Sequence, residues 1–292
     1  MSFQTTAYGK WILCGEHSVL RGAPALAFPV KNYPMMFTYE PRGSFTLVVQ
    51  GQHAQEIEIF FWGVLERALK KVNKSRDQLE GTLKIDNQLP LGVGLGGSAA
   101  FCVGMSRWFC FQGWIQEDEV YEFARQLENI FHGESSGVDI AVNFALSGIR
   151  FLREKGWEPL SVRWKPFWRL SFCGQRGVTA ECVKKVQELK EKDYDCFLLA
   201  ETKMKEACQK AEKSLMELSG EEGLKLLAES MEEAAESFRL WGLCEGPLQQ
   251  HMEELKKQGA LAVKPTGSGG GGYVLSLWSE PPPENLNLMR VF

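Results

Sequence analysis

Gly267-Ser-Gly-Gly-Gly-Gly272 stands between two apolar runs, Ala260-Leu-Ala-Val263 and Tyr273-Val-Leu-Ser-Leu-Trp278, and reads as strand, loop, strand. Glycine reaches backbone angles closed to other residues, and bare backbone lets main-chain N–H groups gather around a bulky anion. Alone, such a stretch is as readily a flexible connector. A second glycine loop, Leu89-Pro-Leu-Gly-Val-Gly-Leu-Gly-Gly-Ser-Ala-Ala100, runs straight into the helical-looking stretch Phe101-Cys110. Gly92, Gly94, Gly96 and Gly97 would expose backbone just before a helix whose first N–H groups are unpaired and whose dipole is positive there, a setting for an oligophosphate. Ser98 adds a hydroxyl for metal or phosphate, or serves as the helix N-cap. Two such loops point to a nucleotide site. Neither has the Gly-x-x-x-x-Gly-Lys-Ser/Thr of a P-loop or the spacing of a dinucleotide fingerprint.

The 292 residues are 44% hydrophobic and 24% charged, enough for one large core or two modest ones. A net charge of -4 argues against nucleic acid or an anionic membrane as partner. The eight cysteines form no Cys-x-x-Cys and the four histidines show no metal-ligand spacing, so the thiols read as reduced. With neither a signal-peptide pattern nor an apolar run long enough for a bilayer, the expected location is cytoplasmic.

Ile57, Phe60, Phe61, Val64, Leu65, Leu69 and Val72 recur at helical spacing between β-like runs at Phe45-Gln50 and Gly81-Asp86, which predicts a helix packed on a sheet. Gln116-His132 predicts a helix broken at Gly133, with Val120, Phe123, Leu127 and Phe131 on one side. A turn is expected at Ser135-Ser136-Gly137. Composition changes over Gly156-Pro166, rich in Trp, Pro and Arg, and the domain boundary is placed there, giving residues 1–162 and 163–292. Beyond it the pattern predicts a strand at Arg169-Cys173, helices at Thr179-Lys192, Cys196-Leu218, Gly223-Trp241 and Pro247-Lys257, and a final strand or tail at Leu286-Phe292. Met231, Ala234, Ala235, Phe238 and Trp241 are expected to face inward.

Three separated segments resemble the signature motifs of the GHMP kinase superfamily, in that family's order. They are Gly9-Lys-Trp-Ile-Leu-Cys-Gly-Glu-His-Ser-Val-Leu-Arg-Gly-Ala-Pro-Ala-Leu-Ala27, Pro90 to Ala100, and Lys264-Pro-Thr-Gly-Ser-Gly-Gly-Gly-Gly272. Gly-Glu-His followed by Gly-x-Pro-Ala-Leu-Ala looks most like the mevalonate kinase branch. A fourth stretch, Glu128-Asn-Ile-Phe-His-Gly-Glu-Ser-Ser-Gly-Val-Asp139, is similar to that branch's segment with a metal-binding glutamate and a catalytic aspartate.

The resemblance implies a two-domain α+β fold. Its N-terminal domain would be like ribosomal protein S5 domain 2 and its C-terminal domain ferredoxin-like, with ATP and substrate in the cleft between them. It implies nucleotide contacts from Pro90, Gly92, Gly94, Leu95, Gly96, Gly97, Ser98 and Ala99, and Mg²⁺ on Ser98 and Glu128. Asp139 would be the base or orienting carboxylate for the acceptor hydroxyl, with Lys10 as the cation that keeps it ionised and faces the moving phosphate. Glu16, His17, Thr179, Gly267, Ser268 and Gly269 would contact substrate. From the residues alone, plainer roles stay open: an exposed helix-end charge for Glu128, N-caps for Asp139 and Thr179, a surface charge for Lys10, and structural roles for His17 and His132.

The implied reaction is phosphorylation of (R)-mevalonate by ATP to 5-phosphomevalonate, a step toward isoprenoid precursors. A phosphomevalonate kinase or other small-alcohol kinase is the first alternative, and a non-catalytic nucleotide sensor the second. The partner expected is a small mevalonate-like alcohol, with a homodimer allowed and neither nucleic acid nor membrane. Three positions depart from the family pattern: Gly97 for a serine, Glu134-Ser135 for Asn-Pro, and Ser268 for an alanine.

Overall fold

The computed structural model describes residues 2–132 and 136–291. The helix break at Gly133 and the Glu134-Ser135 departure lie outside the described residues, as do Ser135 of the expected turn, the terminal Met1 and Phe292, and the side chains of Phe131 and His132. The chain opens with β1 (Phe3–Cys14), β2 (Ala25–Ser44), β3 (Thr46–Gly51), α1 (Ala54–Lys71) and β4 (Glu80–Asn87). Next come α2 (Gly97–Phe111), α3 (Val120–His132), α4 (Val138–Ala145), β5 (Ile149–Leu152), β6 (Gly156–Pro159) and β7 (Phe167–Phe172). Four helices follow, α5 (Thr179–Lys192), α6 (Tyr194–Met216), α7 (Gly220–Leu240) and α8 (Pro247–Lys257), then β8 (Ala262–Thr266), β9 (Tyr273–Trp278) and β10 (Met289–Arg290).

Packing divides the chain into two compact units that are interleaved in sequence. One comprises Met1–Gly9, Tyr33–Leu91 and Gly96–Phe144, the other Lys10–Asn32, Gly92–Leu95 and Ala145–Phe292. In the first unit β3 runs parallel to β4, a pairing that requires a crossover, and α1 supplies it. Met35 to Ser44 of β2 pair antiparallel with β4 on its other edge. Ile57, Phe61, Val64, Leu65 and Leu69 of α1 are buried as their spacing predicts, whereas Phe60 is exposed. Phe61 stacks on Phe45 at 6.2 Å, and Phe45 stacks on the buried Trp108 of α2 at 6.0 Å. Val120, Phe123 and Leu127 of α3 are buried beside them.

Close approach of α2 to the sheet depends on Gly104. A Cβ there would lie 2.1 Å from Cε2 of Phe37, whose ring is wholly buried and has nowhere to retreat. Gly104→Ala is therefore expected to lower stability by roughly 1–3 kcal/mol through overpacking, against a gain of up to about 1 kcal/mol that alanine gives an unconstrained helix. Urea unfolding checks the sign, and a net gain would contradict this packing.

In the second unit the antiparallel sheet has the order β10-β7-β9-β8, which reads 4-1-3-2 when its strands are counted along the chain. That is the ferredoxin-like order. The first crossover carries α5 to α8, while the second is reduced to the Pro281-Pro-Pro283 turn and a single 3-10 turn at Glu284–Leu286. Met231, Ala234, Ala235, Phe238 and Trp241 face inward as expected. Ala25 to Ala27 of β2 pair with β5, and β5 with β6. Trp11, Phe28 and Trp168 pack ring on ring at 4.7 to 5.5 Å. No helix among the described residues is long and apolar enough to cross a membrane.

Candidate active site

Lys10 leaves β1 with its side chain nearly buried, and its backbone N–H donates to the Leu95 carbonyl at 2.8 Å. Its ammonium donates to the Gly94 carbonyl at 2.7 Å. A buried lysine needs such acceptors, and here they come from the second glycine loop. Gly94 has φ +85°, and a Cβ at Gly267 would stand 3.3 Å from the Gly94 carbonyl oxygen. The Gly92–Leu95 loop and the Gly267–Gly272 loop therefore approach backbone to backbone, which only small residues permit.

The N–H groups of Gly92 to Gly97 donate to no carbonyl among the described residues, and those of Gly96 and Gly97 stand at the start of α2. The third loop is different. Its Gly270 N–H donates to Leu243 and its Gly272 N–H to Gln175, at 2.8 and 2.7 Å. Those two donors hold the loop to the protein, and the N–H groups of Gly267, Ser268 and Gly269 remain without a backbone partner among the described residues.

The turn after β1 is fixed from several sides. Thr266 accepts the Ile12 N–H at 2.8 Å and donates back to the Ile12 carbonyl at 3.0 Å. Lys264, fully buried, donates to Glu16 Oε1 at 2.5 Å, to the Ile12 carbonyl at 3.3 Å, and to the carbonyl of Pro265. Burial pushes the Glu16 carboxyl up from its ordinary range, against the pull of the Lys264 ammonium. His17, at φ 54°, bonds the Ser268 carbonyl through Nε2 at 2.8 Å and is flanked by Trp241. A carbonyl only accepts, so Nε2 carries the proton and Nδ1 is left as an acceptor.

Burial lowers the His17 pKa to about 4, with the Ser268 carbonyl pulling the other way. Its neutral form is favoured by folding, so this contribution is complete above the ordinary value of about 6.5 and is lost as pH falls toward 4. The loss amounts to about 3 kcal/mol. Glu16, raised in the fold, acts with the opposite sign. His17→Gln keeps a donor for Ser268 and removes the titration, so its stability should fall less steeply than wild type between pH 6.5 and 4. Parallel pH–stability curves would contradict this assignment.

Ser98 is the second residue of α2, whose N-cap is Gly96, so the N-cap role weighed for Ser98 is not the one it has. Glu128 on α3 is 2% exposed, not the surface charge its helix-end position suggested. Burial first, then the Glu128 carboxylate, raise the thiol pKa of Cys102. Cys102 lies one helical turn beyond Ser98 on the same face of α2, so hydroxyl and carboxylate share one seam. A hydroxyl and a carboxylate are hard oxygen donors, the kind that Mg²⁺ prefers.

Asp139 sits in the first turn of α4, after the helix has begun at Val138. Its helix is fixed through Asn143, which accepts the Tyr8 N–H at 2.7 Å and donates to the carbonyls of Tyr8 and Asp139 at 2.8 and 3.1 Å. Arg107 of α2 adds bonds to the carbonyls of Thr6 and Asn143. Thr179 is likewise not an N-cap: Val178 is, and the Thr179 hydroxyl lies 3.3 Å from that of Ser268.

Gly97 stands where the family often has serine. A Cβ there would lie 2.3 Å from Cδ2 of Leu91, so the leucine fills the space of the missing side chain. Arg176 was not singled out in the sequence. Its exposed guanidinium Nη1 is 3.3 Å from where a Gly92 side chain would begin, which puts a cation beside the glycine loop. Its one sequence signal is its place in the Gly174–Gly177 turn just before Thr179.

Residues 60–148 match the model of the GHMP kinases N terminal domain. The mevalonate kinase of Thermococcus sibiricus is 27% identical over 316 residues, spanning 100% of this chain and 93% of its own. The chain carries a GHMP kinase N-terminal domain in residues 60–148. The fold agrees: a crystal structure of L. major mevalonate kinase in complex with R-mevalonate superposes with a TM-score of 0.80 at 22% identity, covering 95% of this chain and 87% of that one. Mevalonate kinase of Methanococcus jannaschii gives 0.75 at 18% identity, covering 98% and 94%.

Proposed function

We propose that the chain transfers the γ-phosphoryl group of ATP to the 5-hydroxyl of (R)-mevalonate, giving 5-phosphomevalonate and ADP. The observation that carries this reading is the Lys10 ammonium bonded to the Gly94 carbonyl, a buried cation fixed on a glycine loop whose own N–H groups have no carbonyl partner among the described residues. Relatives named mevalonate kinase along the full chain length select the acceptor.

Phosphoryl transfer asks a protein chiefly for position and charge. In this reading the N–H groups of Gly92 to Gly97 and the α2 N-terminus hold the phosphates, and Lys10 neutralises charge on the group in transit. Ser98 and Glu128 would hold Mg²⁺, which when bound supplies further charge neutralisation at the phosphates. Asp139 orients the acceptor hydroxyl and takes its proton as the new O–P bond forms and the bond to ADP breaks. Glu16, His17, Thr179 and the Gly267–Gly269 backbone contact the acceptor, with His17 Nδ1 able to take a hydrogen bond from a hydroxyl. Arg176 supplies an additional cation beside Gly92.

The test is ADP release in the presence of Mg²⁺ with mevalonate, phosphomevalonate, homoserine, galactose and shikimate. Mevalonate should give the highest kcat/KM. Saturable turnover with another acceptor and none with mevalonate would replace the assignment by a neighbouring kinase, and ATP binding without turnover of any acceptor would favour the sensor.

A further inference from the structure

The third glycine segment begins with a lysine that the phosphoryl-transfer chemistry does not use. Lys264 has no exposed surface, yet it carries a charge into the core, where the hydration it loses must be replaced by protein acceptors. Three acceptors do this, and two belong to β1 and the turn after it: the Ile12 carbonyl and Glu16 Oε1. The other Glu16 oxygen, Oε2, is buried and accepts no hydrogen bond among the described residues. A carboxylate held at one oxygen and open at the other is a poor structural element, because the open oxygen has lost water without replacement. It suits a site that waits for a donor.

We propose that Lys264 is a positioning residue for acceptor binding: it fixes Glu16 Oε1 so that Oε2 is presented to a hydroxyl of the acceptor, and through Glu16 it orders the turn that carries His17. The proposal rests on the kinase reading above. The surroundings support it independently. Gly15, one residue before Glu16, donates its N–H to the Met204 sulfur at 3.1 Å, and Ser18 donates to Glu201 Oε1 at 3.0 Å, so both ends of the turn are already anchored to α6. What those anchors do not fix is the Glu16 side chain, and Lys264 does. The charged and titratable groups facing Glu16 are Lys264 from β8 and Lys10 and Cys14 from β1, with Cys208 of α6 against Cys14. Burial disfavours the charged form of Glu16, and both cations work against that effect, toward the carboxylate that can accept from a hydroxyl. The Phe238 ring of α7 lies 5.3 Å from the Lys264 ammonium.

The experiment compares Lys264→Met, Glu16→Gln and the double variant, using whichever acceptor the wild-type panel selects, so that a wrong acceptor assignment leaves this test standing. Readouts are the acceptor KM, kcat, and nucleotide affinity by calorimetry. Each single variant should raise the acceptor KM by roughly 10- to 100-fold, the loss of one charge-assisted hydrogen bond, with nucleotide affinity within about twofold of wild type. The double variant should be no worse than the worse single, because the two residues act as one unit. Glu16→Gln retains an oxygen for Lys264 and is expected to fold even if Lys264→Met does not, and the double variant, which removes both charges, then gives the comparison. An acceptor KM in the double variant well above that of the worse of the folded single variants, equal loss of nucleotide and acceptor affinity, or an unchanged KM in Glu16→Gln would each overturn the proposal.

Discussion

Asp139→Asn is expected to lose roughly 10²–10⁴ in kcat, the range of a positioned acid or base, while nucleotide affinity stays close to wild type. The substitution keeps the shape of the side chain and removes its charge. Asp139 lies in the first turn of α4, where a carboxylate also gains from the helix dipole, and that gain is only about 0.3–1 kcal/mol. The helix itself is held by Asn143 at Tyr8 and by Arg107 at Thr6, contacts that the substitution does not touch. A purely structural role therefore predicts a slightly less stable enzyme with normal turnover. A chemical role predicts a stable enzyme that barely turns over. Steady-state kinetics with thermal unfolding on the same preparation separates the two.

Lys10→Met should lower kcat by roughly 10²–10³, the cost of removing one fixed charge aimed at a transition state. Methionine keeps much of the aliphatic stem and fills the same buried space, so packing is preserved. The Gly94 carbonyl loses its ammonium donor, which disturbs the loop modestly. Nucleotide binding should weaken much less than turnover, because the loop N–H groups remain. Equal losses in nucleotide affinity and kcat would instead make Lys10 a ground-state phosphate ligand.

The sequence was most legible where periodicity is long. Thr179-Lys192 and Pro247-Lys257 form helices with the expected bounds, and the inward set Met231, Ala234, Ala235, Phe238 and Trp241 is buried. The long strand β2 was not read from the sequence, because Pro29 and Pro34 interrupt it and proline normally marks a strand edge. Both fall outside its registers with β4 and β5, which begin at Met35 and stop at Ala27. Phe60 matched the helical period and yet faces outward, since a period places residues on a stripe without fixing the stripe's width.

At the site, spacing and family motifs pointed to Lys10, Ser98, Glu128 and Asp139. They could not reveal that Glu128 is buried against the Ser98 face of α2, or that Leu91 occupies the space of the side chain missing at Gly97. Arg176 and the Lys264–Glu16 pair depend on segments about 80 and 250 residues apart in the chain, distances at which no local pattern operates.

The most direct test of the account is a single-turnover reaction with γ-labelled ATP, Mg²⁺ and excess (R)-mevalonate, with the products resolved and the phosphorylated carbon assigned by ³¹P–¹H correlation. The label should move to the oxygen on C5 of mevalonate in step with ADP formation. Label that stays on ATP, or leaves it only as inorganic phosphate, would contradict the account.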